Sequence, residues 1–218
     1  MKKESLSRGF LIPGFSTAGI FCGIKTNKQK DLALIFSEEP SVGAGVFTSN
    51  KVVSPTITWS QQILKTSKKF RAIVINSGNA NACTGPKGME DCKSLASKLS
   101  QKLSVEPKEI LIASTGIIGV PLPINKIVKS LPDLSSKLSP KGWVSSAEAI
   151  MTTDLTPKFK SLSFYIGKQK ITMGGIAKGS GMIHPNMATM LAFIATDAAI
   201  DKKTLDRALR EANNKTFN

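Results

Sequence analysis

Short runs of apolar residues, separated by glycine, proline and small polar residues, follow one another along most of the chain. Runs that are continuous or rich in β-branched residues predict buried strands, because such side chains fit the faces of a sheet. Pro55 would place one of these strands at a sheet edge, since proline cannot donate to a hydrogen-bond ladder. The predicted strands lie at 31–36, 46–48, 52–59, 72–75, 110–113 and 189–195, and a hairpin is predicted from 161–166 and 169–173.

Helical spacing of apolar residues predicts helices at 61–69, 89–103 and 124–131. A last helix is predicted to begin at Asp201 or Thr204, either of which could cap it, with apolar residues at positions i, i+3, i+4 and i+7. A turn-rich link at 37–45 and a flexible, glycine-dense run at 174–181 are predicted between the regular elements. The pattern therefore predicts short strands interspersed with helices, as in an α/β protein.

The composition is typical of a soluble globular protein. The chain has 218 residues, of which 41% are hydrophobic and 21% are charged. No run approaches the roughly 18 uninterrupted apolar residues of a membrane-spanning helix. The N-terminus lacks the apolar segment of a secretory signal, so a cytoplasmic protein is expected.

The net charge of +15, from 30 basic and 15 acidic residues, raises the question of an acidic partner. Only four basic residues are arginines, the side chain that best recognises phosphates and bases. The lysines are scattered, and aromatic residues make up only 6% of the chain, too few for a base-stacking platform. A lysine-coated surface is therefore favoured over nucleic-acid binding.

Cysteine and histidine are scarce. The three cysteines, Cys22, Cys83 and Cys92, have no C-x-x-C spacing, which disfavours a disulfide framework or a zinc knuckle. Idle thiols in a reducing compartment are the expected state. His184 is the single histidine, so a polyhistidine metal site is excluded, and no metal is expected.

Three predicted strands lead into small, polar, glycine-bearing loops, at 76–85, 114–119 and 174–189. Loops held by a rigid sheet often carry active sites, although any one of these could be only a tight turn. A phosphate-binding loop is disfavoured, because Lys178 precedes Gly179-Ser180, the reverse of the Walker A order. No G-x-G-x-x-G motif follows a strand, so a dinucleotide site is disfavoured as well.

The third loop resembles the self-cleavage region of the ornithine acetyltransferase (glutamate N-acetyltransferase) family of arginine biosynthesis. The matching run is Lys178-Gly179-Ser180-Gly181-Met182-Ile183-His184-Pro185-Asn186-Met187-Ala188-Thr189-Met190-Leu191. Four further segments match the family in order and spacing, so the resemblance covers essentially the whole chain. They are Gly14-Phe15 with Gly23-Ile24-Lys25, the loop from Asn76 to Gly85, Ser114-Thr115-Gly116-Ile117-Ile118-Gly119, and Ala149-Ile150-Met151-Thr152-Thr153-Asp154.

The resemblance implies a proenzyme that cuts itself between Ala188 and Thr189, with Thr189 as the new N-terminal nucleophile. A threonine hydroxyl can attack the preceding carbonyl, and the freed α-amine, with an ordinary pKa of about 7.7–8.0, can then serve as its base. Such an enzyme needs no catalytic histidine, and His184 is expected to give local support at most. The implied fold has sheets sandwiched between helices, and the implied assembly is a heterotetramer of two α and two β pieces.

The family resemblance also implies the remaining site residues and the reaction. The Thr115 hydroxyl and the Gly116 backbone N–H would form the oxyanion hole, and Thr152, Lys178 and Thr189 would contact the substrate. N-acetylornithine would acetylate Thr189 and glutamate would then accept the acetyl group, in a ping-pong cycle that needs no cofactor. Some members of the family also take acetyl-CoA as the acetyl donor.

The chain departs from the family in its length, since relatives continue well beyond Asn218. The resemblance divides it into residues 1–188, an α-chain-like domain, and 189–218, the incomplete start of a β-chain. We therefore expect the chain alone to be inactive as an acetyltransferase. The alternatives are a related self-processing aminopeptidase, in which water replaces glutamate as acceptor, and a non-catalytic basic remnant that acts as a binding module.

Overall fold

The computed structural model describes residues 10–180 and 190–217. Within these residues the strands are β1 (Phe15–Ile20), β2 (Leu32–Ser41), β3 (Phe70–Asn79), β4 (Ile110–Ile117), β5 (Lys158–Ile166), β6 (Gln169–Lys178) and β7 (Leu191–Thr196). The helices are α1 (Pro55–Thr66), α2 (Gly85–Leu103), α3 (Ile124–Ser136), α4 (Trp143–Ile150) and α5 (Lys202–Lys215), and a single 3-10 turn, Pro107–Glu109, precedes β4. None of the helices in these residues is long and apolar enough to cross a membrane.

The strands form two sheets. The first has the order β1-β2-β3-β4, with antiparallel pairs up to β3 and a parallel pair between β3 and β4. The second has the order β5-β6-β7 and is antiparallel throughout. Helix α2 lies between β3 and β4 in sequence, as the crossover of a parallel pair requires.

Strand β2 shows how the layers are built, because its successive side chains enter two different cores. Leu32 and Leu34 pack with residues of α2 and α3 on one face of the first sheet. Ala33 and Ile35 pack on the other face with Trp143 of α4 and with residues of the second sheet. Helix α4 therefore lies between the two sheets, and the predicted layered α/β fold is confirmed.

Several predicted elements are observed with longer bounds. The strand predicted at 72–75 extends to Asn79, and that at 110–113 extends to Ile117, so two of the candidate site loops begin inside strands. The hairpin at 161–173 and the helices at 89–103 and 124–131 are confirmed. Asp201 is the cap of the last helix, since its side chain accepts a hydrogen bond from the Thr204 backbone N–H.

The strands predicted at 46–48 and 52–59 are wrong. Residues 46–48 have no regular structure, and residues 55–59 belong to helix α1, which extends the helix predicted at 61–69 toward the N-terminus. Pro55 is compatible with this helix, because proline suits the first turn, where its missing N–H costs nothing.

The flexibility predicted for the glycine-dense run is also wrong over residues 174–178, since β6 continues to Lys178. A Cβ on Gly174 would lie 2.6 Å from the Phe10 ring, and one on Gly175 would lie 2.5 Å from the Phe193 carbonyl oxygen. These two glycines therefore serve close packing inside a sheet.

Replacing Leu34 with alanine tests this layered core. Leu34 is fully buried, so Leu34→Ala should lower the free energy of unfolding by about 2–5 kcal/mol in chemical denaturation. Leu155, which is 95% exposed, provides the matched control, and Leu155→Ala should change the stability by less than about 0.5 kcal/mol. Equal losses in the two variants would contradict the assignment of β2 to the core.

Candidate functional site

The candidate site lies where the parallel strands β3 and β4 end. Ser77 is paired with Thr115 and Gly78 with Gly116, and the register then shifts at Asn79. Ligands of α/β proteins commonly bind beyond the carboxyl ends of parallel strands. Here Thr115 and Gly116 line a cavity together with Thr152 and Lys178, which reach it from the end of α4 and from β6.

Gly116 has a backbone that only glycine can adopt at this place. Its φ is +139°, and a Cβ there would lie 2.3 Å from the Gly78 carbonyl carbon and 2.5 Å from the Asn79 nitrogen. The two strand ends are therefore in direct backbone contact, and Gly116 is itself exposed toward the cavity.

Lys178 and Thr115 are joined by a hydrogen bond in which the Lys178 Nζ donates to the Thr115 Oγ1 at 3.2 Å. Lys178 is buried, with 6% of its surface exposed. Burial lowers the pKa of Lys178, Asp154 opposes that change and the charge of Lys158 adds to it. Among the described residues no carboxylate lies within salt-bridge distance of Lys178.

Asp154 organises the loop around these groups. Its carboxylate accepts hydrogen bonds from the backbone N–H of Gly179 at 2.8 Å and of Thr152 at 3.3 Å, and it forms an ion pair with Lys158. Burial alone would raise the pKa of Asp154, but the hydrogen bonds from Lys158, Gly179 and Thr152 outweigh it and lower that pKa. Asp154 thus fixes the backbone at Thr152 and at Gly179, which directly follows Lys178.

A network of buried asparagines holds the two strand ends. The Asn76 side chain donates to the Asn79 carbonyl at 2.8 Å and accepts from the Ser114 hydroxyl at 2.6 Å. The Asn79 side chain donates to the carbonyls of Val120 and Pro121 and accepts from the Asn81 N–H. These residues satisfy backbone groups that a strand ending inside the protein would otherwise leave unpaired.

Sequence reasoning named Thr115, Gly116, Thr152 and Lys178, and the structure brings these four residues to one cavity. Ala188, Thr189 and His184 lie outside the described residues. Met190, the neighbour of Thr189 in sequence, lines the same cavity, and its Cβ is 3.3 Å from the place of a Cβ on Gly179.

The positioning roles of Asp154 and the asparagines were missed. The signal that could have found them is an acidic or amide side chain at the end of a predicted strand or helix, where backbone groups need partners. Within residues 10–180 and 190–217, no three histidine, cysteine, aspartate or glutamate side chains cluster as metal ligands would.

The half-buried Cys22 and the buried Cys92 offer no nucleophile. Burial is the main cause that raises the pKa of Cys22 above its ordinary range and that of Cys92 to about 12. Because the thiolate is the reactive form, these two cysteines are inert at neutral pH.

The fold resembles that of a solved aminopeptidase. An aminopeptidase and D-Ala-esterase/amidase from Ochrobactrum anthropi, described as a variant of the Ntn hydrolase fold, matches 93% of this chain and 66% of its own chain with a TM-score of 0.55 at 14% identity. At that identity the likeness concerns the fold alone.

The ArgJ family model matches residues 16–218, and the chain belongs to the ArgJ family. The arginine biosynthesis bifunctional protein ArgJ of Caldanaerobacter subterraneus is 50% identical over 205 residues, which are 94% of this chain and 50% of that protein. The ArgJ of Thermotoga neapolitana is 46% identical over 210 residues, 96% of this chain and 52% of that protein. The chain thus spans about half the length of these curated relatives.

Two solved ArgJ-type structures agree with this assignment. ArgJ from Bacillus halodurans matches with a TM-score of 0.75 at 36% identity, over 81% of this chain and 92% of that chain. Ornithine acetyltransferase from Mycobacterium tuberculosis, solved in complex with ornithine, matches with a TM-score of 0.71 at 33% identity, over 88% of this chain and 98% of that chain.

The role of Asp154 can be tested by pH. Because its pKa is lowered in the folded protein, Asp154 stabilises the fold above its unfolded pKa of about 3.9, and this contribution is lost as the pH falls through the folded value. Asp154→Asn removes that contribution, so its thermal midpoint should be lower near pH 7 and should fall less steeply below about pH 4 than that of the parent.

Asp133 serves as the matched control, since its ion pair with Lys137 lies on the exposed surface of α3. Asp133→Asn should follow the parent closely, because exposed ion pairs contribute about 0–1 kcal/mol. Parallel pH profiles for the parent and Asp154→Asn would show that Asp154 has no such role.

Proposed function

We propose that this chain forms the nucleophile-bearing part of an acetyltransferase that moves an acetyl group from N-acetylornithine to glutamate. The observation that carries the proposal is the hydrogen bond from Lys178 to Thr115, made beside Gly116 in a chain of the ArgJ family. The ornithine bound to the Mycobacterium tuberculosis relative supports an amino-acid substrate.

The direction of that hydrogen bond suits an oxyanion hole. A protonated lysine only donates, so the Thr115 oxygen is the acceptor and its own hydroxyl proton stays free to point at a ligand. The backbone N–H of Gly116 is the second donor, and the absence of a side chain lets the substrate carbonyl come close. Two fixed donors and a buried ammonium would stabilise the negative charge of a tetrahedral intermediate.

The chemistry proceeds in two balanced steps. The Thr189 hydroxyl attacks the acetyl carbonyl, and its proton passes to the Thr189 α-amine. The amide C–N bond then breaks as the α-ammonium gives that proton to the leaving amine of ornithine. The neutral α-amine of glutamate then attacks the acetyl ester and gives a proton to the Thr189 α-amine. The C–O bond breaks as that proton passes on to the Thr189 oxygen. Thr152 and Lys178 contact the substrate, with Lys178 facing a carboxylate.

Cleavage between Ala188 and Thr189 would create that α-amine. The positions of Gly179 and Met190 support it, because both residues line the cavity of the candidate site and Met190 is the neighbour of Thr189 in sequence. The lengths of the matched proteins also support cleavage. This chain matches about half the length of the curated relative from Caldanaerobacter subterraneus, but it matches 92% and 98% of the chains in the two solved structures. Those chains are therefore little longer than the matched part.

Because the chain spans half of its curated relatives, we propose that turnover needs the second half that those relatives have. The completed enzyme for the experiments below is this chain co-expressed with the C-terminal half of the Caldanaerobacter subterraneus relative. An assembly of two α and two β pieces is part of this proposal, and acetyl-CoA is a second donor to be assayed.

Intact-mass measurement of the completed enzyme tests the cleavage. The parent should give a new N-terminus at Thr189, and Thr189→Ala should remain uncut and form no acetyl adduct with N-acetylornithine. Thr58, an exposed residue of α1, is the matched control, and Thr58→Ala should be cut like the parent. An intact 188–189 peptide bond in an enzyme that transfers acetyl would refute this mechanism.

Replacement of Thr115 tests the oxyanion hole. Loss of one such donor typically costs about 2.7–4 kcal/mol of transition-state stabilisation, so Thr115→Ala should slow acetyl transfer about 100–1000-fold. Thr115→Ser keeps the hydroxyl and should retain most of the rate. Rates are compared by following acetylglutamate formation, and a Thr115→Ala rate within threefold of the parent would exclude the role.

A further inference from the structure

Two lysines from distant parts of the chain line the cavity beside Gly116. Lys178 ends β6, and Lys25 lies in the loop that follows β1. The proposed reaction uses only Lys178, so a second half-buried ammonium in the same cavity needs an explanation.

The backbone of Lys25 is held in place by the fully buried Asp31. The Asp31 carboxylate accepts hydrogen bonds from the backbone N–H groups of Cys22 at 2.6 Å, Ile24 at 2.7 Å and Lys25 at 2.9 Å. The Lys25 Nζ donates to the Lys30 carbonyl oxygen at 2.8 Å, which leaves two of its N–H groups for other acceptors.

The stem of Lys25 packs over the same strand end that forms the candidate site. A Cβ on Gly78 would lie 3.2 Å from the Lys25 Cγ and 2.8 Å from the Ile24 Cγ2, so a glycine at this position leaves the space that the stem fills. Gly78 is paired with Gly116, and Lys25 is therefore built into the wall of the site.

The two ammonium groups lack a carboxylate partner among residues 10–180 and 190–217. The nearby Asp154 is ion-paired with Lys158, and Asp31 is hydrogen-bonded to backbone N–H groups. Burial lowers the pKa of Lys25, Asp31 opposes that change, and the charge of Lys178 lowers it further. Unpaired charges of this kind are costly, and an anionic ligand would relieve the cost.

We propose that Lys25 and Lys178 together form a dicarboxylate site, in which each ammonium binds one carboxylate of the acceptor. The proposal deepens the function proposed above and rests on it, because there the acceptor is glutamate. Lys25 is then the residue that distinguishes glutamate from glutamine, in which an uncharged amide replaces the second carboxylate.

Protection from chemical modification tests the site without requiring turnover. Trinitrobenzenesulfonate reacts with uncharged amines, and peptide mass spectrometry reports its attachment at Lys25 and Lys178 separately. Glutarate, a dicarboxylate, should protect both lysines at concentrations about tenfold lower than pentanoate, which has the same number of carbons and one carboxylate. In Lys25→Met the two anions should protect Lys178 equally.

Lys129, an exposed lysine of α3, is the control of equal charge, and Lys129→Met should keep the preference for glutarate. Thermal unfolding of each variant shows whether it is folded. Equal protection by glutarate and pentanoate in the parent, or a preference that survives in folded Lys25→Met, would overturn the proposal.

Kinetics of the completed enzyme give the second measurement. Lys25→Met should lower kcat/KM for glutamate about 10–100-fold, the value of a hydrogen bond to a charged group, and should lower kcat/KM for glutamine far less. An equal fall for both acceptors would assign Lys25 a structural role only. If no acetyl-Thr189 forms while glutarate still protects both lysines through Lys25, the proposed function fails and the dicarboxylate site stands.

Discussion

The backbone contact between Gly78 and Gly116 is the constraint on which the candidate site depends. It brings the ends of two parallel strands so close that no side chain fits between them. Next to Gly116, Thr115 accepts a hydrogen bond from Lys178. Next to Gly78, the stem of Lys25 packs over the glycine. The asparagines around it supply the hydrogen bonds that a strand end inside the protein needs.

Charge is distributed unevenly around this contact. Asp154 and Asp31 are both buried. Their carboxylates accept hydrogen bonds mainly from backbone N–H groups close to Lys178 and Lys25. They position Lys25 and Lys178 without forming salt bridges to them. The site is left with positive charge that an anionic ligand would neutralise. Burial of an unpaired ammonium group is unfavourable, and relief of that cost would add to the affinity for the anion.

The layered fold could be predicted from the sequence, and so could the meeting of four candidate residues at one cavity. Apolar runs and a long co-linear resemblance can both be recognised in local stretches of sequence. The region around Pro55 could not be predicted, since proline is compatible with a sheet edge and with the first turn of a helix, and only the packing of α1 against β4 decides between them. Gly174 and Gly175 were misread for a related reason. The sequence does not distinguish a glycine that close packing requires from one that makes a loop flexible. The residues that require these two glycines, Phe10 and Phe193, are distant in sequence.

The pairing of β6 with β7 has a consequence for the reversibility of folding. The two strands pair from Met173 with Thr196 to Lys178 with Leu191, so their ladder spans the point where the proposed cleavage would separate them. After such a cut the ladder and the shared core, not a peptide bond, would hold β7 in the sheet. Folding before the cut is intramolecular, whereas reassembly after it would depend on protein concentration. The enzyme would then have to be folded correctly once, before it becomes active.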